Sequence, residues 1–230
     1  MKEFIVDSAY FGAVLTLLAY GVGVILKKRV NIAIFNPLLI SIIIVISVVL
    51  LLKVDYKVYK ESADVISYLL TPATVSLAIP LYEQVEALKN NIKAIMLGIG
   101  IGSITSVVSV LALSLCFGFT HEEYASFLPK SITTAIGMDV SAEIGGYVSL
   151  TIAAIVLTGI LGNVLAEPLC KLFKIHEPVA KGVAIGTASH ALGTAKAIEL
   201  GEVEGAISGL SIVVCGLFTV VWCGIFSTFI

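Results

Sequence analysis

The sequence predicts an all-α integral membrane protein. It reads as a polytopic bundle of about seven or eight transmembrane segments, with two discontinuous helices forming an internal repeat. Three observations lead there. Of 230 residues, 58% are hydrophobic and 13% charged, roughly half the charge share of a soluble domain. Apolar runs follow one another along the chain, and a crossing needs only about 20 predominantly apolar residues. Two stretches rich in Pro, Ser and Thr then interrupt that pattern in similar ways.

The balance of charge excludes several classes. The net charge of −2 and the absence of a basic patch argue against a nucleic-acid partner. The four cysteines (Cys116, Cys170, Cys215, Cys223) form no CxxC pair and read as small apolar fillers. The chain lacks an HExxH motif, a nucleophile–base pairing and a metal-ligand cluster, so no enzyme, metal or cofactor is expected. A cleavable signal peptide is not expected either, because charge (Lys27-Lys28-Arg29) follows the first apolar segment where a signal would carry it first.

Taken in order, residues 8–27 and 34–52 are plain apolar spans, and 53–64 carry enough charge to read as a solvated connection. Residues 1–60 thus form an N-terminal scaffold and 61–230 a core. Segment 65–86 is interrupted by Pro72 and Pro80, whereas 91–116 is an ordinary span. A loop with His121-Glu122-Glu123 precedes 127–146, which holds Pro129, Gly137, Asp139 and Gly145-Gly146. Segment 147–170 is a clean span; 179–200 is glycine-rich and 204–229 apolar. By the bias of Lys and Arg in short loops, the loops at Lys27-Lys28-Arg29, Lys89/Lys93 and Lys171/Lys174 lie in the cytoplasm. Segment 127–146 then enters and leaves on one side.

The interruptions resemble each other. Aligned on Pro72 and Pro129, about 57 residues apart, both read Pro-x-[Thr/Ser]-[Val/Ile]-[Ser/Thr]-x-Ala-Ile-[Pro/Gly]. Proline suits a helix N-terminus, and a second breaker, Pro80 or Gly137, follows eight residues on. The expected result is a short half-helix followed by a break. Broken backbone at membrane depth is tolerated only against protein or a water-filled cavity, and half-helix N-termini there favour anions. A kinked but purely structural helix would explain one such stretch, and two matching copies favour a ligand path. A third stretch, 182–196, places His190 and Lys196 inside an apolar segment, where ionisable groups are functional candidates. Its bland alternatives are a His190–carbonyl bond and a Lys196–Glu199 pair. Gly182-x-x-x-Gly186 and Gly205-x-x-x-Gly209 read as close helix contacts.

These stretches, LLTPATVSLAIPLYEQ (69–84), LPKSITTAIGMDVSAEIGG (128–146) and AIGTASHALGTAKAIELGEVEGAISGL (184–210), resemble the LrgB/CidB family of bacterial membrane proteins. The resemblance implies a holin-like or antiholin-like modulator of murein hydrolase activity and autolysis, with a smaller LrgA/CidA-type membrane partner. Relatives that include a plastid glycolate/glycerate transporter and pyruvate carriers imply small 2-oxo or 2-hydroxy carboxylates as substrates. The second motif departs from the family's usual pattern: Ala135 replaces a proline and Gly137 an alanine, so the expected break is softer, and Asp139 is an extra acid.

The leading expectation is therefore a secondary carrier of small monocarboxylates in the cell membrane, proton- or ion-coupled and homo-oligomeric, with a lysis regulator as the alternative. Half-helix starts at Pro72 and Pro129 would present N–H groups to a small organic anion. Hydroxyls of Thr74, Ser76, Ser131, Thr133, Thr134, Ser189 and Thr194 would bond it. His190 would handle a proton, and Lys130 or Lys196 would supply positive charge.

Overall fold

The computed structural model describes residues 8–30, 37–69, 72, 75, 76 and 78–230. Among them the secondary structure is helical throughout, and the chain divides into two compact units, residues 1–76 and 77–230. Leu70, Thr71, Ala73, Thr74 and Leu77, in the first copy of the repeat, lie outside the described residues.

The first unit holds α1 (Phe11–Arg29), α2 (Pro37–Leu51) and α3 (Tyr56–Tyr68). Proline opens α2 at the position where its missing N–H is harmless. The expectation of a solvated connection over 53–64 needs correction. Asp55 caps a 13-residue helix there, its carboxylate accepting from the Lys57 N–H at 2.7 Å. The helix is amphipathic and its one buried residue, Ser62, accepts the Gly12 N–H at 2.9 Å. Thr16 and Tyr59 bond at 2.8 Å beside it, so polar contacts fasten α3 to α1. Charge in 53–64 marks the outer face of a helix rather than a loop.

The second unit runs α4 (Ala78–Glu83), α5 (Val85–Phe117), α6 (His121–Phe127), α7 (Thr134–Glu143), α8 (Val148–Leu172), α9 (Pro178–Leu200) and α10 (Glu202–Phe226), closed by a 3₁₀ turn at Ser227–Phe229. Across the described residues, four helices are long and apolar enough to cross a membrane: α1, α5 from Leu88, α8 and α10 with its 3₁₀ turn. At 15 residues, α2 is a shorter apolar helix. The remaining apolar sequence among the described residues lies in shorter or bent helices.

Two parts of the second unit double back. In the first, α6 leads to a turn at 128–133 and α7 returns. His121 Nε2 lies 3.0 Å from the Ile144 carbonyl, and the Tyr147 N–H reaches Ser126 Oγ at 2.7 Å, so both ends of this hairpin sit together. Its tip reaches Ser106, about 16 Å along α5 from Phe117 at 1.5 Å per residue. In the second, α9 turns at His190 (φ 44°, ψ −140°). A Cβ on Gly193 would lie 3.1 Å from Ile185 Cγ2, although eight residues of straight helix would separate them by about 12 Å. The arms 178–189 and 191–200 therefore lie side by side. Gly182 and Gly186 bring the first arm against α10, where a Cβ on Gly182 would meet the Glu204 carbonyl at 2.8 Å; Gly205 faces Ile198, whereas Gly209 faces open space.

The base of the first hairpin carries a pH-sensitive tie. His121 Nδ1 lies 2.7 Å from the Ile230 carbonyl and Nε2 3.0 Å from that of Ile144. Two acceptors require both ring nitrogens to donate, so they favour the imidazolium and hold the His121 pKa above its ordinary 6.5. A raised folded pKa contributes stability that is complete below about 6.5 and fades as pH rises through the folded value. The melting-temperature gap between the wild type and His121→Asn is thus expected to be widest below pH 6.5 and to narrow above it, as a thermal melt across pH 5.5–9 would read.

Candidate functional site

The two hairpins carry the unusual residues of the second unit toward each other. Several expectations for the first hairpin need correction. Pro129 does not start a helix; it is buried within the turn, and α7 begins at Thr134 with Thr133 as its N-cap residue. The Lys130 and Ile132 N–H groups already bond Phe127 and Pro129 carbonyls. Gly137 is not a break but lies inside α7, its N–H on the Thr133 carbonyl at 2.9 Å. A Cβ on Gly137 would run into the Ile155 side chain, so close packing of α7 on α8 explains that glycine. Pro80 is the third residue of α4, in the first turn, where proline is tolerated; the half-helix expected before it includes Leu77 and other positions outside the described residues.

The true turn at 128–133 presents Lys130. Its ammonium donates to Ser106 Oγ and Ser131 Oγ, both at 3.1 Å, and these hydroxyls are 3.0 Å apart. The side chain is half-buried, and among the described residues no carboxylate pairs with it. A cation held by neutral hydroxyls in an apolar setting leaves a strong field for an anion.

Lys130 faces a cavity of about 640 Å³ between α5 and the first arm of α9, which Ser106, Ser131 and Thr187 also line. Thr187 is 6% exposed, and its hydroxyl is buried with no partner among the described residues. Buried hydroxyls are usually satisfied, so this one is an exception at the cavity wall. A second cavity of about 480 Å³, between α8 and α9, also reaches Lys130 and touches Ser189.

The bend at His190 supplies the frame. A non-glycine residue at φ 44° costs on the order of 1–3 kcal/mol and persists only when surroundings fix it. Here His190 Nε2 meets the Ile155 carbonyl at 3.0 Å. Thr194 donates to the His190 carbonyl at 3.0 Å and bonds Ser208 at 2.7 Å. Asn163 Nδ2 donates to the Leu192 carbonyl at 2.6 Å. Asn163 and the Ile155 carbonyl of α8, and Ser208 of α10, thus tie the bend to both neighbouring helices. Asn163→Leu removes this amide donor and with it a polar tie between α8 and the bend, and is expected to cost about 0.5–1.5 kcal/mol, read as a lower melting temperature with the overall helix content kept.

Of the residues expected at a site, Lys130 and Ser131 line the larger cavity, and Lys130 and Ser189 the smaller. Thr133 and Thr134 cap and open α7, and His190 and Thr194 build the bend; none of these four lines either cavity. Lys196 sits apart in ion pairs of 3.2 Å with Glu167 and with Glu199, the bland reading of that lysine. Pro72 and Ser76 belong to the first unit, where Ser76 Oγ donates to the Pro72 carbonyl at 2.8 Å. Thr74 lies outside the described residues. Sequence reasoning missed Ser106, Thr187 and Asn163; the only signal for Asn163 was an amide beside Gly159 and Gly162 in an otherwise clean apolar span.

A family model for the LrgB-like family matches residues 16–229 of this chain. The chain belongs to the LrgB-like family. It is 38% identical over 222 residues to the antiholin-like protein LrgB of Bacillus mycoides (strain KBAB4), covering 96% of each chain. The same values hold for antiholin-like protein LrgB from Bacillus cereus (strain B4264) and from Bacillus anthracis (strain CDC 684 / NRRL 3495). No solved structure gives a significant match. The LrgB-like match covers both units, so the hairpins and the N-terminal helices are parts of one family architecture.

Proposed function

We propose that this LrgB-like protein is an antiholin-like regulator in the plasma membrane, restraining murein hydrolase activity and autolysis beside an LrgA/CidA-type partner. The observation that carries this reading is similarity over 96% of both chains to relatives named antiholin-like protein LrgB. Apolar helices long enough to cross a membrane support its placement there. Removing the protein from its host is expected to speed detergent-induced autolysis several-fold, and plasmid-borne wild type to restore the slower rate. Unchanged lysis kinetics would remove the basis for the regulator.

A second reading, a carrier of small monocarboxylates of the pyruvate, lactate and glycolate class, has one specific observation in its favour. Lys130 lacks a carboxylate partner among the described residues and shares a cavity with the unpartnered Thr187 hydroxyl. In this reading the anion bonds Lys130 Nζ and the nearby hydroxyls, while His190, outside both cavities, holds the bend that frames them. Uptake of labelled pyruvate, lactate and glycolate into proteoliposomes tests it, with saturable flux expected for at least one; linear, unsaturable leakage would favour a pore.

A further inference from the structure

The smaller cavity differs in kind from the larger one. Its hydroxyl- or amine-bearing lining residues are three, Lys130, Thr158 and Ser189. Along α8 from Thr158, the wall continues as Leu161, Leu165, Leu169 and Phe173, one helix face extending about 22 Å at 1.5 Å per residue. Ala184 and Ala188 keep the opposite wall low. The cavity is therefore a largely apolar trough that Lys130 also lines, and a two- or three-carbon acid would fill only a small part of it.

We propose that this trough binds a free aliphatic monocarboxylate of medium to long chain, its carboxylate on Lys130 and its tail along Leu161, Leu165 and Leu169. The inference rests on the carrier reading of Lys130 as the anion-binding group and names a longer substrate class for it. Charge complementarity selects the head group: the cation has no internal carboxylate partner among the described residues, while Thr158 and Ser189 add hydroxyl-bearing residues to the same lining. The tail gains by leaving water for leucine side chains. Leu161, Leu165 and Leu169 are 57%, 43% and 43% exposed, so the trough is reached from its long side and the tail need not thread through the protein.

The test is a chain-length series. Retention of labelled straight-chain acids from propionate to dodecanoate is measured on the full chain in nanodiscs, with empty nanodiscs subtracted and free aqueous acid as the reference. Affinity is expected to rise about fourfold per added methylene until the trough is filled. Leu165→Trp should flatten the series by occupying the trough, and Lys130→Met should remove protein-specific retention at every length. Lys130-dependent binding with no chain-length gain would overturn the proposal and leave the short-acid carrier reading intact. Lys130-independent binding, or none at any length, would overturn both. A gain with length that Leu165→Trp leaves unaltered would also overturn the proposal, since the tail would then lie in bilayer lipid.

Discussion

Alanine at Gly162 is expected to lower the melting temperature of the purified protein by on the order of 5–10 °C, and to reduce the folded yield, because it overpacks the bend of α9. A Cβ at Gly162 would fall on the Ser189 hydroxyl and Cβ, and within 3.5 Å of its Cα. Ser189 has little room to step aside, since it is buried and precedes the strained His190. Overpacking of a tight site costs about 1–3 kcal/mol or more, and each kcal/mol shifts the midpoint about 2–4 °C in a chain of this size. Gly209→Ala is the matched control. Nothing lies within 4 Å of a Cβ there, and alanine is the better helix former, so its midpoint should hold or rise slightly. Size-exclusion traces recorded after heating steps would read both; equal behaviour of the two variants would remove close packing as the role of Gly162.

Lys130→Met is expected to reduce monocarboxylate uptake into proteoliposomes at least tenfold. A hydrogen bond to a charged group contributes roughly 1.5–3 kcal/mol, and the loss of charge also removes the attraction that concentrates an anion there. Ser106 and Ser131 keep each other as partners at 3.0 Å when the ammonium is gone, so the variant should stay folded. Lys196→Met separates a general effect of positive charge from a local one. Its ammonium is committed to Glu167 and Glu199, and its removal should alter stability more than flux. Equal losses of uptake in the two variants would refute a special place for Lys130.

Much of this fold could be read from residue order, and the failures have physical causes. Apolar runs identified the long helices because hydrophobic length is a sufficient signal for a span. The stretch 127–146 was expected to enter and leave on one side, and the contacts of His121 with Ile144 and of Ser126 with Tyr147 bring its ends together. The location of its turn was misjudged: Gly137 looked like a breaker but provides clearance for Ile155. The reversal at His190 has neither proline nor glycine at the turning residue, so local propensity gives no warning. It is imposed by bonds from Ile155, Asn163 and Ser208, residues far away in sequence. The polar wall of the larger cavity was hidden for a similar reason, since Ser106 in α5 acquires meaning only when the tip of another hairpin reaches it.

The bend at His190 also bears on how the chain is threaded during synthesis. A straight helix over Pro178–Leu200 would carry the following residues to the opposite compartment, whereas a doubled-back one returns them. The loop after α8 and the start of α10 are therefore expected on the same side of the membrane, although 23 helical residues separate them. Reporter domains fused after Lys174 and after Gly201 should consequently report one compartment. Counting hydrophobic segments by length alone would assign them to two, and would invert α10 with everything fused beyond it.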